Sequence, residues 1–168
     1  ANSFPAYDSA IPPETATIAE ILKQQGYSTG CFGKWHLTPS WEQNPAGPFD
    51  RWPTGMGFER FYGIIGAEAS HWEPPVYDQT TPIEPHLGQA GYHLSEDLAD
   101  RAIEWIARQK AAAPDKPFFC YFAPPAVHAP HHVAPEWSDR FKGRFDDGWD
   151  ALRTEIFERQ LELGVIPE

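Results

Sequence analysis

The sequence predicts an α/β fold, a mostly parallel sheet flanked by helices. Two observations predict it. The first is the order helix–strand–long loop–helix–strand–loop–helix along the chain. The second is the near-continuous apolar run Phe118 to Ala123, which suits a strand covered on both faces, as in a parallel sheet. The 168 residues suffice for one domain with a real core, though not for two comfortable ones. Eighteen prolines, roughly twice the usual ~5%, and seven tryptophans point to ordered, irregular loops, and the 14% aromatic content favours a packed chain over a disordered one.

The first helix is expected over Thr17 to Gln25. Thr17 and Glu20 have capping-box spacing, Ile18, Ile21 and Leu22 give an apolar face, and Gly26 closes the helix. Tyr27 to Phe32 reads as a short strand, with Gly33-Lys34-Trp35-His36-Leu37 starting where it ends. Residues 38 to 91 read as loop, rich in Pro, Gly and aromatics. A loop of this length is uncommon in a compact domain unless it does something such as covering a site. Phe58, Phe61, Tyr62, Ile64 and Ile65 are expected to anchor its middle in the core. His71-Trp72-Glu73-Pro74-Pro75 reads as surface packing, with a substrate entrance as the sharper alternative.

Ser95 then reads as the N-cap of a second helix, with Glu96 and Asp97 in its first turn and a stripe of Leu98, Ala102, Trp105 and Ile106. That helix ends before Pro114 and leads into the apolar strand. A third helix is expected over Asp150 to Leu163, with Leu152, Ile156 and Leu163 inward and Asp146-Asp147-Gly148 as its start rather than a calcium loop.

Composition excludes some functions. A formal net charge of -11 disfavours nucleic acid and anionic membrane surfaces, since both need a basic stripe. No apolar run approaches the ~20 residues of a membrane span. Cys31 and Cys120 fit neither a disulfide framework nor a zinc motif, and read as buried free thiols, with periplasmic and cytoplasmic addresses both open. The chain starts at Ala1 and stops at Glu168 directly after a helical pattern, so it reads as an internal piece of a longer protein.

Ligands of such sheets bind beyond the carboxyl ends of the strands. Lys34 and His36 follow the first strand and His128 follows the second, so two neighbouring strands would bring all three to one edge. Lysine offers a point charge with three donors, and histidine titrates near neutrality. A lone lysine is ordinarily a solvated surface residue and a lone histidine a structural one. Gly33 before the pair and the i, i+2 spacing weigh toward anion handling. His128, His131 and His132 have a metal cluster as an alternative, although Pro130 breaks the regular offset that would align ligands. Pro124, Pro125, Pro130 and Pro135 stiffen this loop.

From Thr15-Ala16-Thr17-Ile18-Ala19-Glu20 onward the chain resembles a sulfatase of the arylsulfatase type. The similarity runs through Gly33-Lys34-Trp35-His36-Leu37, Pro53-Thr54-Gly55-Met56-Gly57-Phe58 and Gly91-Tyr92-His93-Leu94-Ser95-Glu96-Asp97. It continues through Pro117-Phe118-Phe119 and His128-Ala129-Pro130-His131-His132 to Phe145-Asp146-Asp147-Gly148-Trp149-Asp150. The resemblance implies an alkaline-phosphatase-like α/β fold that hydrolyses small-molecule sulfate esters. It implies a cysteine converted to formylglycine, whose hydrate attacks sulfur, and a calcium ion that helps hold the sulfate. Lys34 matches the lysine that contacts sulfate oxygens. His36 matches the histidine that handles the formylglycine hydroxyl and helps expel sulfate. His128 matches the histidine that contacts sulfate and protonates the leaving oxygen, while the register of His131 and His132 stays ambiguous.

No Cys-x-Pro-Ser-Arg motif, N-terminal aspartate pair or later Asp-Asn occurs in the sequence. The resemblance therefore implies that residues 1–168 are an internal part of a single catalytic domain. The nucleophile, the metal ligands and a C-terminal segment would lie outside it. Two other readings remain: a phosphonate or phosphate ester hydrolase of the same fold, and a non-catalytic module whose Trp- and His-rich loops bind a sugar or a protein. Trp41, Trp52 and Trp72 hint at a ring-shaped leaving group. The purified 168-residue chain alone is expected to show no turnover of an aryl sulfate, and measurable hydrolysis in a spectrophotometric assay would overturn that.

Overall fold

Residues 9–12 and 14–167 are described by the structure, a computed structural model; the terminal Ala1 and Glu168 lie outside the described residues. In chain order the elements are helix α1 (Ile18–Gln24), strand β1 (Ser28–Lys34), strands β2 (Arg60–Ile64), β3 (Val76–Asp78) and β4 (Thr81–Ile83), helix α2 (Leu94–Ala112), strand β5 (Phe118–Ala123), the one-turn helix α3 (Pro135–Ser138) and helix α4 (Gly148–Glu162). The strands form one sheet in the order β4-β3-β2-β1-β5. β1 is parallel to both β2 and β5, while β3 and β4 extend the sheet as an antiparallel meander. The predicted α/β class and the parallel pairing of the two expected strands are therefore present. The chain divides into two compact units, one ending at His132 and one starting at Val133.

β1 is buried on both faces, and strand alternation splits its side chains between two cores. Phe32 joins Tyr62, Ile64, Val76, Leu94, Leu98, Ala102 and Trp105 on the α2 side. Cys31 joins Ala19, Trp35, Trp52, Phe58, Phe61 and Ile65 on the other. Full burial of a side chain such as Phe32, Phe61 or Leu98 contributes about 1.5–3 kcal/mol.

α1 ends as predicted. The Tyr27 N–H donates to the Leu22 carbonyl and Gly26 N–H to that of Lys23, with Gly26 at φ +86°, which is a Schellman closure. Thr17 Oγ1 accepts from Glu20 N–H (3.1 Å) and donates to the Met56 carbonyl (2.6 Å). The buried contact of this helix is Ala19, however, whereas Ile18 and Ile21 are exposed. The backbone of Gly57 lies against Glu20, where a β-carbon would meet the Glu20 nitrogen at 2.4 Å.

Several expectations need correction. β1 runs two residues past Phe32 and includes Lys34. The predicted loop 38–91 contains β2, β3 and β4; the run Phe61 to Ile65 does reach the core, as a central parallel strand. The rest of the segment is held by polar anchors. Trp35 Nε1 and Thr38 Oγ1 both donate to the Arg51 carbonyl, Trp52 Nε1 donates to that of Glu42, and Arg51 pairs with the buried Glu42. Trp52 is wholly buried and so lines no substrate site.

α2 is capped by His93, not Ser95: His93 Nδ1 accepts from Ser95 N–H. β5 is an edge strand among the described residues, with Tyr121 and Phe122 41% and 43% exposed, so it is not covered on both faces. In the second unit Ile156 and Leu163 are exposed, because α3, a 3-10 turn and α4 offer too little surface to cover them.

Where the three parallel strands meet, Gly63 and Ala123 flank Gly33. Gly33 has φ +124°, and a β-carbon there would lie 2.0 Å from the Ala123 carbonyl oxygen. A β-carbon on Gly63 would lie 1.9 Å from the Gly33 oxygen. Both clashes are with backbone, which cannot step aside as a side chain can. Gly33→Ala is expected to lower unfolding free energy by more than about 3 kcal/mol in urea titrations. Gly88→Ala, with open space around it, is expected to cost only about 1–2 kcal/mol for its positive φ. Equal losses would contradict the close-packing argument.

Candidate active site

The glycine row ends β1 in a way that sends alternate side chains to opposite sides. Lys34 stands half-buried at the strand end, Trp35 turns into the core, and His36 emerges exposed. Trp35 N–H and His36 N–H donate to the carbonyls of Ile64 and Ile65, so β2 guides this backbone past the end of β1. His36 sits at φ +53°, a conformation uncommon for a residue with a β-carbon and found where surrounding structure imposes it.

β5 delivers the second part. After Ala123 the chain passes the buried Pro125 and folds into two successive turns. His128 N–H donates to the Pro125 carbonyl (3.0 Å), and His131 N–H donates to that of His128 (3.1 Å). His128 thereby reaches Lys34 across the strand boundary, with Lys34 Nζ 2.9 Å from His128 Nε2. With Lys34 charged, this contact uses the Nε2 lone pair of a neutral imidazole, leaving the proton on Nδ1. Lys34, Trp35, Tyr121, Pro124, Val127 and His128 line a cleft of about 390 Å³.

His36 belongs to the same electrostatic neighbourhood. Its pKa is lowered, first by partial loss of water around a ring that is largely exposed, then by the charges of Lys34 and His128. The three residues expected to share one edge of the sheet do so. His131 and His132 part company with them: His131 is exposed at φ +57°, while His132 turns toward His71 and His93. His71, expected at the surface, is only 2% exposed and packs edge-on to the rings of His93 and His132. Burial lowers its pKa most, with a smaller contribution from the charges of His93, His132 and His131, against a raising hydrogen bond to the His132 backbone.

The residues present do not fit a calcium ion. Among the described residues no group of three or more His, Cys, Asp or Glu is placed to hold a metal. The cleft itself presents an ammonium and an imidazole, where calcium calls for oxygen ligands. Neither cysteine fits a modified nucleophile. Cys31 is wholly buried, its thiol pushed up by desolvation and then by Cys120, and Cys120 is likewise pushed up by burial.

The two lowered histidines make a stability prediction. In the folded chain His36 and His71 resist protonation, whereas unfolded histidine takes up a proton near pH 6.5. Their contribution is intact above that pH and is lost as pH falls toward the lowered folded values. The thermal midpoint should drop between pH 7.5 and 5.5, and less so in His71→Asn. An identical pH slope in both proteins would refute the role of His71.

Comparison with known proteins now supplies the family. The Sulfatase family profile matches residues 2–163. Arylsulfatase A of Homo sapiens is 33% identical over 189 residues, covering 98% of this chain and 36% of that protein. The arylsulfatase of Klebsiella aerogenes is 29% identical over 171 residues, covering 95% of this chain and 34% of that protein. The crystal structure of Ps i-CgsB superimposes with a TM-score of 0.63 at 21% identity, over 78% of this chain and 31% of its own. The chain thus spans about a third of the length of the curated relatives it matches. With the family profile running through nearly the whole sequence, the chain belongs to the sulfatase family.

Proposed function

We propose that this chain is an internal part of the catalytic domain of a sulfuric ester hydrolase of the arylsulfatase type, acting on small-molecule sulfate esters. One observation carries the reading: the 2.9 Å contact between Lys34 Nζ and His128 Nε2 at the carboxyl edge of the parallel strands, beside His36. A sulfate ester carries negative charge spread over its peripheral oxygens. Lys34 would exchange its imidazole acceptor for one of these oxygens, a stronger charge-assisted partner. His128, released from Lys34, can take up a proton at Nε2 from solvent while keeping that on Nδ1, and pass the Nε2 proton to the leaving oxygen.

His36 emerges exposed where Trp35 turns into the core, and its lowered pKa keeps its ring neutral at neutral pH. A neutral imidazole can accept a proton from a nucleophilic hydroxyl, which supports a role as general base. The formylglycine and calcium that the family implies are assigned to no residue of this chain. Among the described residues no helix is long and apolar enough to cross a membrane.

Preorganised donors at developing negative charge commonly provide about 2.7–4 kcal/mol each. In the intact protein, Lys34→Ala and His128→Ala should therefore each lower kcat/KM for p-nitrophenyl sulfate by about 10²–10³-fold. Unchanged rates in both variants would favour a non-catalytic binding module. Faster turnover of p-nitrophenyl phosphate than of the sulfate would favour phosphate ester hydrolysis.

A further inference from the structure

The carbonyl oxygen of His132 receives two imidazole donors, His71 Nδ1 at 3.3 Å and His93 Nε2 at 3.2 Å. The rings approach from different parts of the chain. His71 lies in the connection between β2 and β3, and His93 caps α2. Each ring is restricted to one tautomer. His93 Nδ1 accepts from Ser95 N–H at 3.2 Å, so the ring proton must lie on Nε2 and point to His132. His71 spends its Nδ1 proton on the same oxygen, and its buried Nε2 has no hydrogen-bond partner. The His132 ring closes the arrangement, since its Nδ1 accepts from His71 N–H at 3.3 Å.

This carbonyl terminates the loop that carries His128. Between them lies one turn, closed by the bond from His131 N–H to the His128 carbonyl. The other end of the loop is set by β5, whose Ala123 is in register with Gly33. Without the double anchor, the far end of the segment from Pro124 to His132 would be held by the His132 ring alone, through its bond from His71 N–H and its stack on Trp72, and His128 is itself exposed.

We propose that His71 and His93 are positioning residues that fix the His128 loop by donating together to the His132 carbonyl. The proposal rests on the catalytic reading of His128 given above. A catalytic group displaced by about 1 Å can lose about 10²-fold in rate. Asn places an amide donor near the Nδ1 position of histidine, and Gln places one near Nε2.

The test is kcat and KM for p-nitrophenyl sulfate in the intact protein. His71→Ala and His93→Asn should lower kcat at least about tenfold with little change in KM. His71→Asn and His93→Gln should recover most of the loss. His93→Asn keeps an acceptor for the α2 N-terminus, so its thermal midpoint should hold while kcat falls. In a His128→Ala background, His71→Ala and His93→Asn should have no further effect. Should His71→Ala fail to fold, the two His93 variants decide alone. Wild-type kcat in His71→Ala and His93→Asn, or losses undiminished in the His128→Ala background, overturn the positioning role while leaving the catalytic reading standing. Full turnover in His128→Ala alone overturns the catalytic reading, and the proposal with it.

Discussion

Everything at the carboxyl edge of this sheet depends on the closeness of three backbones. Gly33 lies between Gly63 and Ala123, and the space where side chains would stand is filled by carbonyl groups. That contact sets where β1 stops and lets Lys34 and His36 leave the strand on one side while Trp35 anchors on the other. It also fixes the starting point of the loop after β5. The site geometry is thus inherited from strand packing, which is dense and resists deformation.

The surrounding loops are irregular but not loose. Residues 38–58 present few regular backbone bonds, so their polar groups find partners in side chains: two indole N–H groups, a threonine hydroxyl and a buried Arg51–Glu42 pair. This is how a segment rich in proline and tryptophan satisfies its buried carbonyls without a helix or a strand. Large rings supply the apolar bulk and, at the same time, single donors that pin a chosen carbonyl.

Much of this was legible in the sequence where the physics is local. The first helix announced both its caps, because capping depends on residues three or four apart. The two strands that carry Lys34 and His128 were legible from apolar runs, and their shared edge followed from α/β topology. β2 was hidden because five residues with a glycine, Arg60 to Ile64, sit among turn formers, although the aromatic and β-branched run Phe61 to Ile65 was the available signal. The inward face of α1 was misjudged because the helix packs where the Gly57 backbone approaches Glu20, a contact 37 residues apart in sequence and invisible to periodicity. The grouping of His71, His93 and His132 left no trace in spacing at all. It arises only when the β2–β3 connection, the α2 cap and the β5 loop converge.

Lys34 and His128 are 94 residues apart in sequence, yet Lys34 ends one strand and His128 lies in the turns that follow its neighbour. The interstrand spacing of about 4.8 Å brings the two strand ends together, and the turns after β5 with the anchor on His132 complete the approach. The connection 65–93 carries His71 and His93, so a change there that moves either ring is felt at the ammonium–imidazole distance, whereas the exposed stretch 87–91 is free to lengthen or change composition. Scaffold and chemistry are in this sense mounted on the same connections. Drift is confined to the exposed tips, while the stretches that reach the site are held by backbone hydrogen bonds and by the imidazole donors on the His132 carbonyl.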